Sequence, residues 1–276
     1  CDGTLAQENT GSLTQMRVRK ISEQQDSFGL THTTVVLSFP ASVTYSATDP
    51  ADAPEPVNFK SWSPEHPWLY PFTLNADEDT VDGYFAMRCF SVEKDSKGIL
   101  RFCLNHKPYF LHGILDQGYW SDGLMTAPCD EAFVYDISLA KGLGFNMLRK
   151  HIKLESLRWY YHCDKLGLIV WQDMVNGGEP YRLWFVTYLT NVLQPLLRKL
   201  PDTAALRGLL SRRSEASREE YGRELEATVE TLRGHPCIGC WVPFNEGWGQ
   251  FDAAGAVEAE VGGQAVLGRQ GRESTP

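Results

Sequence analysis

Phe145-Asn-Met-Leu-Arg149, the residues from Glu155 to Leu166, and Leu168-Ile-Val-Trp171 read in succession as strand, helix and strand, with Gly167 stopping the helix. Both strands are near-continuous apolar runs rather than alternating ones. Strands read that way when a parallel sheet is buried on both faces. The pattern extends in both directions. Upstream, Tyr109-Phe-Leu-His-Gly-Ile-Leu115 is an apolar run of strand length. A helix capped by Thr126 or Asp130 follows it, runs to Lys141 and closes at Gly142. Downstream, a helical stretch from about Leu183 to Leu200 is kinked or broken at Pro195, and a second runs from Ser214 to Arg233. The fourth strand is Cys237-Ile-Gly-Cys-Trp-Val-Pro-Phe244.

Each of these strands turns polar where it ends. The first reaches Asp116-Gln117, the second Arg149-Lys-His151, the third Gln172-Asp173, the fourth Asn245-Glu246. In a (β/α)8 barrel the loops leaving the strand ends converge on one face, and the active site sits there. One polar strand end is an ordinary loop start; four in succession, with carboxylates, an arginine and a histidine, point to a site. Glu246 is the sharpest candidate. A glutamate leaving a buried strand beside Trp241, Phe244 and Trp248 is expected to be partly desolvated, which raises a carboxyl pKa as a general acid requires. Trp248 offers a flat face for a sugar ring.

Composition narrows the remaining classes. The chain has 276 residues, 42% hydrophobic and 12% aromatic, enough to bury a sizeable core. At about 150 residues per domain that is roughly two domains or one large one. The net charge is −9, so the basic footprint of a nucleic-acid binder is missing. No apolar run of membrane-spanning length occurs, so no membrane partner is expected. Seven cysteines form an odd, scattered set, which favours buried or free thiols over a disulfide framework. The sequence starts at Cys1, not Met, and carries no apolar signal segment, as in a mature form or a piece of something longer. Compartment and oligomeric state stay open.

Residues 1–104 read differently, as β-rich. Thr33-Thr-Val-Val-Leu-Ser-Phe39 and Gly83-Tyr-Phe-Ala-Met-Arg-Cys-Phe90 are strand-like, whereas residues 1–30 are polar with little strand pattern. Prolines across 51–56 and 61–71 remove backbone donors and leave loops and strand edges. A small antiparallel sandwich is the natural packing.

Trp62-Ser-Pro-Glu-His-Pro-Trp-Leu-Tyr70 with Asp82-Gly-Tyr-Phe-Ala-Met-Arg88 resembles the end of the immunoglobulin-like domain of glycoside hydrolase family 2. Lys107-Pro-Tyr-Phe-Leu-His-Gly113 resembles the start of that family's barrel. Gly144-Phe-Asn-Met-Leu-Arg149 with His151, and Trp241 through Asn245-Glu246, resemble two of its catalytic-strand motifs. The resemblance spans about residues 60–252. It implies a mixed fold: a partial immunoglobulin-like β-sandwich over 1–104, the first half of a (β/α)8 TIM barrel over 105–252, and a divergent or disordered tail over 253–276. It also implies a retaining exo-β-glycosidase acting on a carbohydrate substrate, most readily a β-galactoside. Glu246 matches the general acid/base and Asn245 the residue that binds the sugar 2-hydroxyl. Arg149, His151, Asp173, Asp116 and Trp248 are the further sugar-site candidates.

The chain departs from the family in three ways. The second carboxylate of a retaining mechanism, on a later strand in the family, has no counterpart here, since about four βα units are present where a barrel has eight. The stretch after the first strand is Leu115-Asp116-Gln117-Gly118 where the family usually has Asn and His, and Arg149 stands one residue closer to His151 than in the commonest galactosidases. The chain alone is therefore expected to show little or no hydrolysis. No cofactor is required, since two carboxylates suffice for glycoside hydrolysis.

Rival features weigh less. Cys237-Ile-Gly-Cys240 is a C-x-x-C, but residues three apart in a strand point to opposite faces, so the pair reads as core thiols and no metal is assigned. Trp159-Tyr-Tyr161 reads as helix packing, and the arginines of 198–218 with the glutamates after them as a solvated helix face. The functional alternative is a non-catalytic carbohydrate-binding or inactive half-barrel fragment. Asp173 or Glu179 as a substitute nucleophile has no support from spacing.

Overall fold

Four strands form a parallel sheet in the order β12-β11-β10-β9, each beside its neighbour in sequence. They are β9 (Gly113–Asp116), β10 (Met147–Lys150), β11 (Ile169–Asp173) and β12 (Ile238–Val242). Strands β1 to β8 precede them. The computed structural model describes residues 3–4, 17–25, 31–38, 60–76, 79–175, 177–180, 182–189, 192–197, 214–247, 250–252 and 255–256. The chain divides into two units, Cys1–Ser61 with Trp68–Met87, and Trp62–Pro67 with Arg88–Pro276.

In the first unit β1 (Gly3–Thr4), β4 (Tyr70–Ala76) and β5 (Asp79–Phe85) make one antiparallel sheet, and β2 (Arg17–Gln25) pairs with β3 (Thr31–Ser38) in another. Strand β2 lies where the sequence shows little strand pattern. Arg-Val-Arg-Lys-Ile-Ser-Glu-Gln-Gln has few apolar residues to alternate, and antiparallel pairing with β3 makes it a strand. Tyr70 and Phe85 stack across β4 and β5 at 5.2 Å, and Lys60 stands 3.8 Å over the Trp68 ring. Residues 51–56 lie outside the described residues.

The second unit begins with a three-stranded antiparallel sheet, β6 (Phe90–Lys94), β7 (Leu100–Leu104) and β8 (Lys107–Pro108). Asn105-His106 links β7 to β8 with φ of 51° and 63°, the double left-handed pair of a type I′ hairpin. The strand expected over 83–90 is thus two strands, one in each unit. At the break the Cys89 N–H donates to Asn105 Oδ1 at 3.0 Å and its carbonyl accepts from the Asn105 N–H at 2.7 Å, while the Arg88 guanidinium donates to the carbonyls of Pro236 (3.0 Å) and Ile238 (3.1 Å).

Three helices cover the parallel sheet: α1 (Asp130–Gly142), α2 (Leu157–Leu166) and α3 (Glu215–Leu232). The N-cap of α1 is Cys129, between the two expected caps, with Asp130 and Glu131 in the first turn. Phe133, Ile137 and Ala140 of α1 are buried at helical spacing. In α2 Trp159 and Tyr160 are buried, as the core reading of that aromatic run requires. Gly167 ends α2 at φ 78°, and a Cβ there would meet the Pro64 carbonyl oxygen at 2.5 Å, so no other residue fits. Ser214 caps α3 by accepting from the Ser217 N–H at 3.2 Å. In the stretch expected to be helical over 183–200 and broken at Pro195, the described residues show helical turns at Trp184–Leu189 and Gln194–Leu197, and Pro195 sits in the first turn of the second, where its missing N–H costs no bond.

No helix among the described residues is long and apolar enough to cross a membrane. Leu115 of the outer strand β9 is 52% exposed.

Candidate active site

The parallel register places the polar strand ends side by side. Arg149 pairs with Leu115 on one flank and Trp171 on the other, and Trp171 with Cys240. In a parallel ladder paired residues share a face, so Leu115, Arg149, Trp171, Asp173 and Cys240 point to one side. Asp116, Lys150, Gln172 and Trp241 point to the other, which α2 and α3 cover.

On the first face, Arg149 is held at both ends of its fork. Its Nε and Nη2 donate to the two carboxylate oxygens of Asp173 at 2.9 and 3.0 Å, and Nη2 also donates to Asn245 Oδ1 at 2.8 Å. The Asp173 side chain is fully buried, and Arg149 keeps 31% exposure. Asp173 holds the guanidinium above its ordinary pKa, and the charge of Glu246 acts in the same direction. Asp173 Oδ2 also accepts from the backbone N–H of Ile152 at 3.4 Å. Arg149, Asp173 and Asn245 are therefore one bonded group drawn from three adjacent strands.

The backbone on either side of that group is strained. Ile152 has φ 45° and Glu246 φ 53° with ψ 17°, left-handed positions that cost an L-residue about 1 kcal/mol or more. For a β-branched residue such as Ile152 this is a marked departure. Both residues directly follow a site candidate, His151 and Asn245.

The other candidates divide. His151 Nδ1 lies 3.3 Å from Gln117 Nε2, tying the loop after β10 to the loop after β9. Glu246 is exposed, so the partial desolvation expected from its aromatic neighbours is not found; its backbone is left-handed, and Phe244 stacks on Tyr221 of α3 at 5.2 Å. Asp116 is not brought to Arg149 at all. It points to the helix-covered face and accepts from Lys150 Nζ at 2.8 Å. Trp248 lies outside the described residues. Of the proposed substitute nucleophiles, Asp173 is bound by Arg149, and Glu179 accepts from the Ser214 N–H at 3.0 Å.

A polar network beneath the site was not read from the sequence. Lys150 and Lys153, both buried, share Glu155 Oε1 at 3.2 and 2.7 Å, and Lys153 also donates to the Gly118 carbonyl at 2.5 Å. Gly118 has φ 63°, and any side chain there would overlap Glu155. Gln172 donates to the carbonyls of Lys153 (2.9 Å) and Asp173 (2.7 Å) and accepts from Tyr160 Oη at 2.6 Å. These bonds clamp the loops after β9, β10 and β11 together. The signal was available in the two-residue period: Lys150 must face away from Arg149.

Of the C-x-x-C pair, Cys237 is buried and Cys240 partly buried. Cys237 is buried against the Tyr160 carbonyl, burial pushes its thiol pKa up, and Cys240 lies on the Arg149 face.

No family model matches this sequence, and no curated protein matches it either. Solved structures do. The likeness is one of fold. A β-glucuronidase from Bacteroides uniformis is 22% identical with a TM-score of 0.51, over 77% of this chain and 20% of its own. A family 2 (GH2) β-galacturonidase from Eisenbergiella tayi, bound to galacturonate, is 16% identical with a TM-score of 0.57, over 86% and 35%. A second B. uniformis β-glucuronidase is 21% identical with a TM-score of 0.53, over 85% and 23%. The chain thus spans between a fifth and about a third of the length of these solved proteins.

Proposed function

We propose that the chain is part of a retaining exo-β-glycosidase of the family 2 kind. Its first unit is part of an immunoglobulin-like sandwich, and its parallel sheet is the first half of a (β/α)8 barrel, with β9 to β12 as the opening four strands. The observation that carries this reading is the Arg149–Asp173–Asn245 group. It joins the ends of three adjacent parallel strands on one face, with Glu246 following at once. The order β9 to β12, each strand beside the next, is what a barrel winds, whereas a doubly wound sheet reverses its order part-way.

In this function Arg149 and the Asn245 amide hold the sugar by its hydroxyls. Glu246, exposed at the rim, gives its proton to the leaving oxygen and later takes one from the attacking water. The nucleophile is a carboxylate supplied from outside residues 1–276, about 5–5.5 Å from the acid. Terminal β-galactosides are the substrates favoured by the sequence. β-Glucuronides and β-galacturonides are those suggested by the names of the proteins that share the fold.

The test uses aryl β-galactoside, β-glucuronide and β-galacturonide substrates, assayed with the chain alone and with a protein extended by the downstream coding sequence. Turnover is expected only from the extended protein, with retained anomeric configuration. Glu246→Gln is expected to lower it by about 10²- to 10⁴-fold. Sugar binding without turnover in both proteins would leave the non-catalytic reading in its place.

A further inference from the structure

We infer that Asp173 is a positioning residue, not a ligand contact: through Arg149 it fixes which way the Asn245 amide faces, and through Ile152 it sets the bend that carries His151. Three observations carry this. First, the Asp173 side chain is fully buried, so a ligand on the Arg149 face cannot reach it. Second, each of its carboxylate oxygens already accepts from Arg149, and Oδ2 also takes the Ile152 N–H. Third, the Ile152 backbone lies in the left-handed region, a conformation that persists only where its surroundings hold it.

The chemical consequence falls on Asn245. A guanidinium only donates, so the Asn245 atom at 2.8 Å from Arg149 is its carbonyl oxygen. The amide Nδ2 is thereby turned away from Arg149, and it meets no acceptor among the described residues. Arg149 Nη1 likewise has no described acceptor. Asn245, which keeps 5% exposure, and Arg149 therefore present donors beside the Glu246 carboxylate, and the pair selects a ligand oxygen that accepts hydrogen bonds. A free Asn245 amide could turn its oxygen outward and lose that selection. Asp173 removes this freedom by fixing Arg149 with a two-pronged bond.

The experiment reads the side-chain signals of Arg149 Nε–H and Asn245 Nδ2–H2 in ¹⁵N-labelled chain, with Asn245→Asp identifying the amide pair. In Asp173→Asn one acceptor oxygen is lost. The Arg149 Nε–H signal is expected to broaden through faster exchange with water, and the Asn245 pair to move toward the position of an exposed amide. Should Asp173→Asn fail to fold, Arg149→Lys removes the fork while keeping the charge, and the same Asn245 shift is expected. Unmoved Asn245 signals in whichever variant folds would overturn the inference.

The ligand arm rests on the sugar-site reading and is scored separately with methyl β-galactoside and methyl β-glucuronide. Asn245→Asp, which keeps the bond to Arg149 but replaces the outward donor by an acceptor, is expected to weaken binding at least tenfold with an unchanged melting temperature. If the unaltered chain binds neither glycoside, the sugar reading fails while the spectroscopic result still decides the role of Asp173. If it binds and Asn245→Asp binds equally well, the donor selection is wrong.

Discussion

The two ends of the parallel sheet are both polar, yet they are built for different purposes. At the N-terminal end Asp164, fully buried, takes His235 Nδ1 at 2.6 Å and the Cys237 N–H at 2.8 Å, while its carbonyl accepts from Trp62 Nε1 at 2.8 Å. Arg88 closes the same end through the carbonyls of Pro236 and Ile238. The polar groups named there face one another, and the left-handed residues described there are Gly144 and Gly167, which carry no strain. At the C-terminal end Asp173 is just as buried, but its partner Arg149 keeps one face toward solvent, the Asn245 Nδ2 meets no acceptor among the described residues, and beside Gly118 two residues other than glycine, Ile152 and Glu246, are left-handed. Satisfied polar groups stabilise a fold; in the proposed function the unpaired donors and the strained backbone of the other end serve ligand binding.

The sharpest way to break this contrast is to remove the central carboxylate from each end. Asp164→Ala leaves His235 and the buried Cys237 N–H without their acceptor, and at about 1–3 kcal/mol for each orphaned group the loss is about 3 kcal/mol. Asp173→Ala frees a guanidinium that water already reaches, so its cost is expected to be about half as large, near 1.5 kcal/mol. Urea unfolding of the two variants side by side measures the difference. Equal losses would mean that the C-terminal end is as much a structural device as the other.

Much of this arrangement was legible in the residues, and what was not has identifiable causes. Phe145–Arg149 and Leu168–Trp171 announced buried parallel strands because both of their faces are apolar, and the structure has β10 and β11 there. The meeting of Arg149, Asp173 and Asn245 followed from their shared place at strand ends. Asp116 looked equivalent because it too ends a strand. Register separates it: it pairs with Lys150, one residue past Arg149, and so falls on the opposite face. The exposure of Glu246 could not be read, since its cover depends on how the chain turns after β12 and not on which aromatic residues stand beside it. Arg88 was opaque for another reason. Its partners lie at Pro236 and Ile238, and contacts that distant leave no local pattern.

A smaller effect sharpens the contrast from the side of strain. Glu246 occupies a left-handed backbone position that glycine adopts freely. Glu246→Gly is expected to raise stability by about 1 kcal/mol while removing the acid/base of the proposed reaction. A gain in the denaturation midpoint together with lost turnover in the extended protein is the signature of strain kept for function. A loss of stability would show instead that the glutamate side chain contributes to the fold.

The smallest effect belongs to a hairpin away from both ends, and it serves as the reference for an ordinary surface carboxylate. Asp95 closes the turn between β6 and β7: its Oδ1 accepts from the N–H groups of Ile99 at 3.0 Å and Lys97 at 2.8 Å, and Oδ2 from Arg101 at 2.9 Å. The Ile99 N–H first, then the Arg101 guanidinium, holds its carboxyl pKa below the ordinary value. A carboxyl depressed by folding binds protons more readily in the unfolded chain, so its contribution is fully present above the unfolded pKa, about 3.9, and is lost as the pH falls through the lower folded value. Asp95→Asn keeps one acceptor oxygen and removes the charge. Its stability is expected to fall slightly below that of the unaltered chain at pH 7 and to converge with it in acid. The depression is local to an exposed turn, so screening by salt should shrink the gap at pH 7, whereas the Asp164→Ala loss at the buried end should persist at high ionic strength.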